Sequence, residues 1–158
     1  MEVKFEVKIN SSVLYDYMMR HTYSSFAGLI GTVVGALILV AFSMNGHFIY
    51  LIAGIVILVY QPASLYLKAK QQALNPAFSK PLCYRLTEEG VEVSQGEVTE
   101  FQKWEDMVKA VSTTKSIILY TSRVNASIFP KRELGDQLPK VVEVISTHMP
   151  AKKVNIRL

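Results

Sequence analysis

Few side chains in this sequence stand where they could do chemistry. Cys83 is the single cysteine, which excludes an intramolecular disulfide and a cysteine-based zinc or iron–sulfur site within one chain. A nucleophilic thiol needs a histidine at short range. The sequence indicates none, so Cys83 is read as a small buried side chain. His21, His47 and His148 are scattered and lack a metal-ligand spacing. There is no Gly-rich phosphate loop, no paired acid–base signature and no nucleophile elbow. The chain is therefore read as non-enzymatic, with no cofactor and no metal. Asn10-Ser11-Ser12 and Asn125-Ala126-Ser127 match the glycosylation acceptor pattern, but a cytoplasmic placement, argued below, makes both chance matches.

Charge is what remains. Lys68 and Lys70 follow a long apolar run, while Lys131-Arg132 and Lys152-Lys153 flank a C-terminal helical pattern. Near an anionic leaflet each base contributes on the order of 1 kcal/mol. The functional reading is a surface that docks onto lipid headgroups or a protein partner. The competing reading is solvated charge on a basic domain. With 17 bases against 13 acids the net charge of +4 is modest, and no nucleic-acid partner is expected.

These basic pairs must be positioned by the rest of the chain, whose apolar residues are unevenly placed. Between Arg20 and Lys68 lie 47 residues without one Asp, Glu, Lys or Arg. Mean hydropathy is +0.23 and only 19% of residues are charged, against about 25% in soluble domains. Within the gap, residues 26–44 and 48–67 are apolar runs of 19 and 20 residues. As helices they measure about 28 and 30 Å, matching a hydrocarbon thickness of roughly 30 Å. Asn45-Gly46-His47 is a turn between them. The reading is a transmembrane helical hairpin in the cell membrane.

Arg20 precedes the first span, Lys68, Lys70 and Lys80 follow the second, and the tip carries no Lys or Arg. The positive-inside rule then puts both termini in the cytoplasm. Ala27, Gly31 and Gly35 recur at intervals of four in the first span, a spacing that lets helix backbones approach closely. The second span or another copy of the chain is the partner for that face, with the intrachain hairpin favoured. Pro62 is expected to kink the second span. No ionisable residue lies inside either span, which argues against an autonomous pump or transporter.

Outside the spans, Val3, Phe5, Val7 and Ile9 alternate with polar residues, the period of a half-buried strand that must join a sheet built elsewhere. Asn10 or Ser11 caps a helix that places Val13, Leu14, Tyr17 and Met18 on one face. Residues 68–81 read as a helix extension and a linker broken at Asn75-Pro76. From Leu82 onward, six short strand signals recur with turns between them. They fall at 82–86, 91–93, 98–104, 107–112, 116–121 and 126–129. Leu134, Leu138, Val141, Val142 and Ile145 then take helical spacing, with Asp136 as the expected N-cap. Val154, Ile156 and Leu158 alternate once more. The fold class is α+β, with the N-terminal strand completing a seven-stranded sheet. The segments are 1–25, the hairpin at 26–67, the linker at 68–81 and a cytosolic domain at 82–158.

Three stretches carry a resemblance: Tyr84-Arg85-Leu86-Thr87-Glu88-Glu89-Gly90-Val91, Trp104-Glu105-Asp106-Met107 and Ile128-Phe129-Pro130-Lys131-Arg132. In order and spacing they resemble the YcxB-like bacterial membrane protein family. The resemblance implies two transmembrane helices followed by a pleckstrin-homology-like domain, a bent antiparallel sheet (a split barrel) closed by a C-terminal helix. It supplies no catalytic residues. Each stretch also has a physical reading. Thr87–Gly90 is a turn in which Gly90 is free to take positive φ, Trp104 is a core or sheet-corner anchor, and Phe129-Pro130 ends a strand. The expected function is a membrane-anchored interaction module. The alternative is an accessory subunit of a larger membrane transport or envelope complex, contacted through the glycine face of the first span.

Overall fold

A computed structural model describes residues 2–157. Strand β1 (Val3–Val7) turns Val3, Phe5 and Val7 inward and its charged residues outward. Helix α1 (Ser11–Tyr23) starts where the Asn10 side-chain oxygen accepts the Val13 N–H at 3.0 Å. The two apolar runs form α2 (Phe26–Asn45) and α3 (Phe48–Ala73). Gly46 ends α2 with φ +68°, a left-handed conformation that a side chain would strain, and its N–H donates to the Phe42 carbonyl at 2.8 Å. Helix α3 runs through Pro62 without a break in the helix and continues past the second span to Ala73.

The hairpin is held by the small residues of both helices. A side chain at Gly35 would collide with Leu58, and one at Gly54 with Leu39. The intrachain pairing of the spans is thus what these glycines permit. Sequence periodicity passed over a polar contact between the helices. Gln61, well inside the second span, donates to the Gly28 carbonyl at 3.2 Å, and Ser64 Oγ donates to the Gln61 carbonyl at 2.8 Å. The outward side chains of both helices are apolar and exposed, Phe26 at 82% and Leu37 at 63%.

The strands do not form one seven-stranded sheet. They form two four-stranded sheets. The first is antiparallel, in the order β1, β2 (Leu82–Leu86), β3 (Gly90–Gln95), β4 (Val98–Lys103). After β4 a short 3₁₀ turn, Trp104–Asp106, carries the chain to β5 (Lys109–Ser112), β6 (Ser116–Tyr120) and β7 (Ala126–Pro130). These pair antiparallel in the order β7-β6-β5, and β8 (Val154–Asn155) adds to β5 in parallel. The break falls where Trp104 turns into the core and donates from Nε1 to the Thr87 carbonyl at 2.9 Å. The final alternation is shorter than its pattern, and Leu158 lies outside the described residues.

Two helices cover the sheets. After α4 (Lys131–Leu134), α5 (Leu138–His148) buries Val141, Val144 and Ile145. Gln137, not Asp136, precedes α5, and it makes no side-chain cap. Asp136 lies one residue earlier in a 3₁₀ turn, and Pro139 opens the helix. Helix α1 packs its Val13 and Leu14 into the same core. The sheets meet through three rings. Phe5 lies 5.7 Å from Tyr84 and 5.1 Å from Phe129, and Tyr84 and Phe129 are 4.8 Å apart. Ala69 of α3 is fully buried in this core, so the long helix belongs to hairpin and domain alike.

Gly90 does not take positive φ. It opens β3, where a side chain would strike the Gln102 carbonyl of β4. Cys83 is exposed, not buried. Leu82, Tyr84 and Leu86 share one face of β2 and turn toward the core, so the two-residue period sends Cys83 to the other face.

Candidate interaction surface

The basic residues singled out above occupy different environments. Lys68 and Lys70 are exposed on α3 just beyond the second span, and the Lys70 ammonium sits 4.8 Å from the Tyr66 ring centroid. Lys131 opens α4 and donates from Nζ to the Arg157 carbonyl at 3.0 Å. Arg132 beside it is exposed. Lys152 is exposed, whereas the half-buried Lys153 donates to the Met107 carbonyl at 2.8 Å. Lys131 and Lys153 therefore have a structural partner each, and Arg132 and Lys152 present their charge to solvent. On the hairpin, Gly35 is buried between the helices. Ala27 and Gly31 line an open notch with Val56, Tyr60, Gln61 and Ser64.

The strand ladder decides which end of the second sheet faces the hairpin. At one end, Lys115 Nζ donates to Ser12 Oγ at 3.0 Å at the start of α1, and Thr113 Oγ1 hydrogen-bonds Asp16 in its middle. At the other end, the Tyr17 hydroxyl donates to the Val124 carbonyl at 3.1 Å. There Tyr17, His21 and Tyr120 form a ring cluster with centroids 5.8, 6.0 and 6.2 Å apart. The end of α1 leads directly into α2, so this second end is the one beside the spans. Lys131 and Arg132 lie at the far end, because Ser116 pairs with Pro130 there.

The near end carries bases that the sequence reading did not single out. Lys109 pairs with Tyr120 across the ladder and holds its ammonium 4.7 Å from that ring centroid. Arg20 of α1 and Arg123 of the β6–β7 turn are exposed beside the cluster. Burial pushes the Tyr120 hydroxyl up to about 12, and the nearby Arg20 opposes that shift. A signal for this surface was present in the composition. From Met107 to Arg132 there are five bases and no acid, while from Leu82 to Asp106 there are seven acids and two bases. The second sheet and its turns are therefore cationic, and β2–β4 are anionic.

On the first sheet, Arg85 binds Glu2 through both carboxylate oxygens, at 2.7 and 3.1 Å. This pairing holds the Glu2 carboxyl below the usual carboxylate range. Between the sheets a cleft of about 390 Å³ opens, with Tyr84 and Val93 on one wall and Ser127 and Ile128 on the other. Among the described residues, no three His, Cys, Asp or Glu side chains are grouped to hold a metal ion.

Comparison with curated proteins and with solved structures gives no match for this chain. A family comparison does. It takes in the Thr87–Val91, Trp104–Met107 and Ile128–Arg132 stretches and runs from the last residue of β2 into α5. Residues 86–145 match the family described as YcxB-like protein.

Proposed function

We propose that the protein is a non-enzymatic, membrane-anchored interaction module. Its hairpin crosses the cell membrane with the Asn45–His47 tip outside and both ends of the chain in the cytoplasm. Its cytosolic domain meets a protein partner or the anionic lipid surface. One observation carries this reading most directly. Helix α3 passes without a break from a segment with exposed apolar sides into the domain core, where Ala69 is fully buried. A helix that is apolar all round lies in a large protein core or in lipid. The exposed apolar sides of this one favour lipid, to which it would hold the domain close. Two facing sheets closed by α5 support a pleckstrin-homology-like reading of the domain. A second reading, an accessory subunit of a larger membrane complex, is favoured by the notch at Ala27 and Gly31, which the hairpin leaves open.

Thiol labelling tests the anchoring, and exposed Cys83 is a built-in control. In intact cells an impermeant reagent should modify Asn45→Cys and leave Cys83 untouched until the cells are opened. Labelling of Cys83 with protection of Asn45→Cys reverses the topology. Labelling of both in intact cells removes the membrane span altogether.

A further inference from the structure

We propose that the end of the second sheet beside α1 is a headgroup site for anionic phospholipids of the same membrane, formed by Arg20, Lys109 and Arg123 around Tyr17 and Tyr120. This rests on the membrane-anchored reading above and gives it a ligand and a location.

Position is the first ground. Arg20 lies in the last turn of α1, six residues before Phe26, and the Thr22 carbonyl of that turn packs against Gly28 in the first turn of α2. Headgroups extend roughly 5–8 Å beyond the hydrocarbon on each side. The screening length at physiological salt is about 8 Å. Arg20 thus adjoins the start of the first apolar helix, and ring contacts and a hydrogen bond bring the β6–β7 turn to the same end of α1.

Chemistry is the second ground. Arg20, Lys109 and Arg123 are exposed and none forms an ion pair among the described residues. No acid occurs anywhere from Met107 to Arg132, and Asp16, one helical turn before Arg20, accepts a hydrogen bond from Thr113. Val124, at the tip of the turn, is 71% exposed. An apolar tip beside tyrosine rings and bases suits the water–lipid boundary, where rings with one polar end settle. Arginine adds planar, paired donation to phosphate oxygens. The acids of β2–β4 sit on the other sheet and disfavour the opposite orientation toward an anionic surface.

The test uses the full chain in nanodiscs of phosphatidylcholine with a minority of phosphatidylglycerol. Spin-labelled versions of each lipid report which one the protein holds. The parent should retain phosphatidylglycerol several-fold over phosphatidylcholine, and the preference should fall in 1 M salt, where screening shortens to about 3 Å. Arg20→Gln, Lys109→Gln and Arg123→Gln together should bring the preference close to parity. The charge-keeping triple Arg20→Lys, Lys109→Arg, Arg123→Lys should restore it. Lys131→Gln with Arg132→Gln, at the far end, should leave it at the parental value. A Gln triple that keeps the parental preference overturns the site. So does loss of preference in the far-end pair alone, although a lipid-contacting module would then survive. A parent that does not enter the bilayer overturns both proposals.

Discussion

The first sheet and the second sheet have the same number of strands and opposite characters. β6, in the interior of the second, buries all five of its residues, because other structure covers both faces. β4, at the edge of the first, buries none of its six. Its core-side positions are Val98, Glu100 and Gln102, where β1, β2 and β3 present mainly Val, Phe, Leu and Tyr. A charge pointing inward on an edge strand discourages pairing with another chain. The sheets also differ in charge, anionic on β2–β4 and cationic from β5 to α4. Packing and electrostatics are thus separable here: the second sheet supplies most of the buried frame and also the basic surface, while the first remains open and acidic.

The largest blow to this contrast should come from β1. Removing residues 2–7 strips Val3, Phe5 and Val7 from the core. At about 1.5–3 kcal/mol for each buried side chain, the loss is on the order of 5 kcal/mol, comparable with a typical domain's whole stability. The detergent-solubilised variant should lose its cooperative thermal transition and become sensitive to protease between β2 and α5. An unchanged transition would mean that the first sheet stands without its edge strand.

A pair of phenylalanines sharpens the contrast. Phe129 of β7 is fully buried and touches both Phe5 and Tyr84. Phe129→Ala should cost about 3–5 kcal/mol. Phe101 of β4 is 46% exposed, and Phe101→Ala should stay within roughly 0.5 kcal/mol. Denaturant midpoints measured in one detergent compare the two directly. Equal losses would erase the distinction between a buried sheet and an open one.

The smallest expected effect on stability comes from charge reversal. Glu97 and Glu100 are exposed. Changing both to Lys should shift stability by no more than roughly 0.5 kcal/mol. The preference for phosphatidylglycerol should rise above the parental value, because the acidic sheet no longer opposes the basic one. An unchanged preference would show that polarity between the sheets plays no part in lipid choice.

Much of this was legible along the chain. The uncharged gap marks α2 and α3, and alternation in residues 3–9 marks β1 together with its need for a partner. Cys83 is read as buried against that same pattern, since the alternation that turns Tyr84 inward turns its neighbour out. The division into two sheets was not, because the 3₁₀ turn at Trp104–Asp106 follows strand-like residues without Gly or Pro to announce it. Asp136 has the residue type of a cap, but the turn at Gly135 starts α5 two residues later. The basic surface was half legible. The acid-free run from Met107 is plain in the sequence, whereas the approach of Arg20 to Tyr120 joins positions 100 residues apart and leaves no local pattern.

The pairing of Val7 with Leu82 also sets a timetable for biogenesis. The two residues are 75 positions apart, with both spans between them. At roughly 5–20 residues per second, β2 leaves the ribosome about 4–15 s after β1. Throughout that interval β1 has neither neighbour nor core, and both apolar helices are complete before the first sheet can close. The alternating Glu2, Lys4, Glu6 and Lys8 keep one side of the waiting segment hydrated until its partner is made.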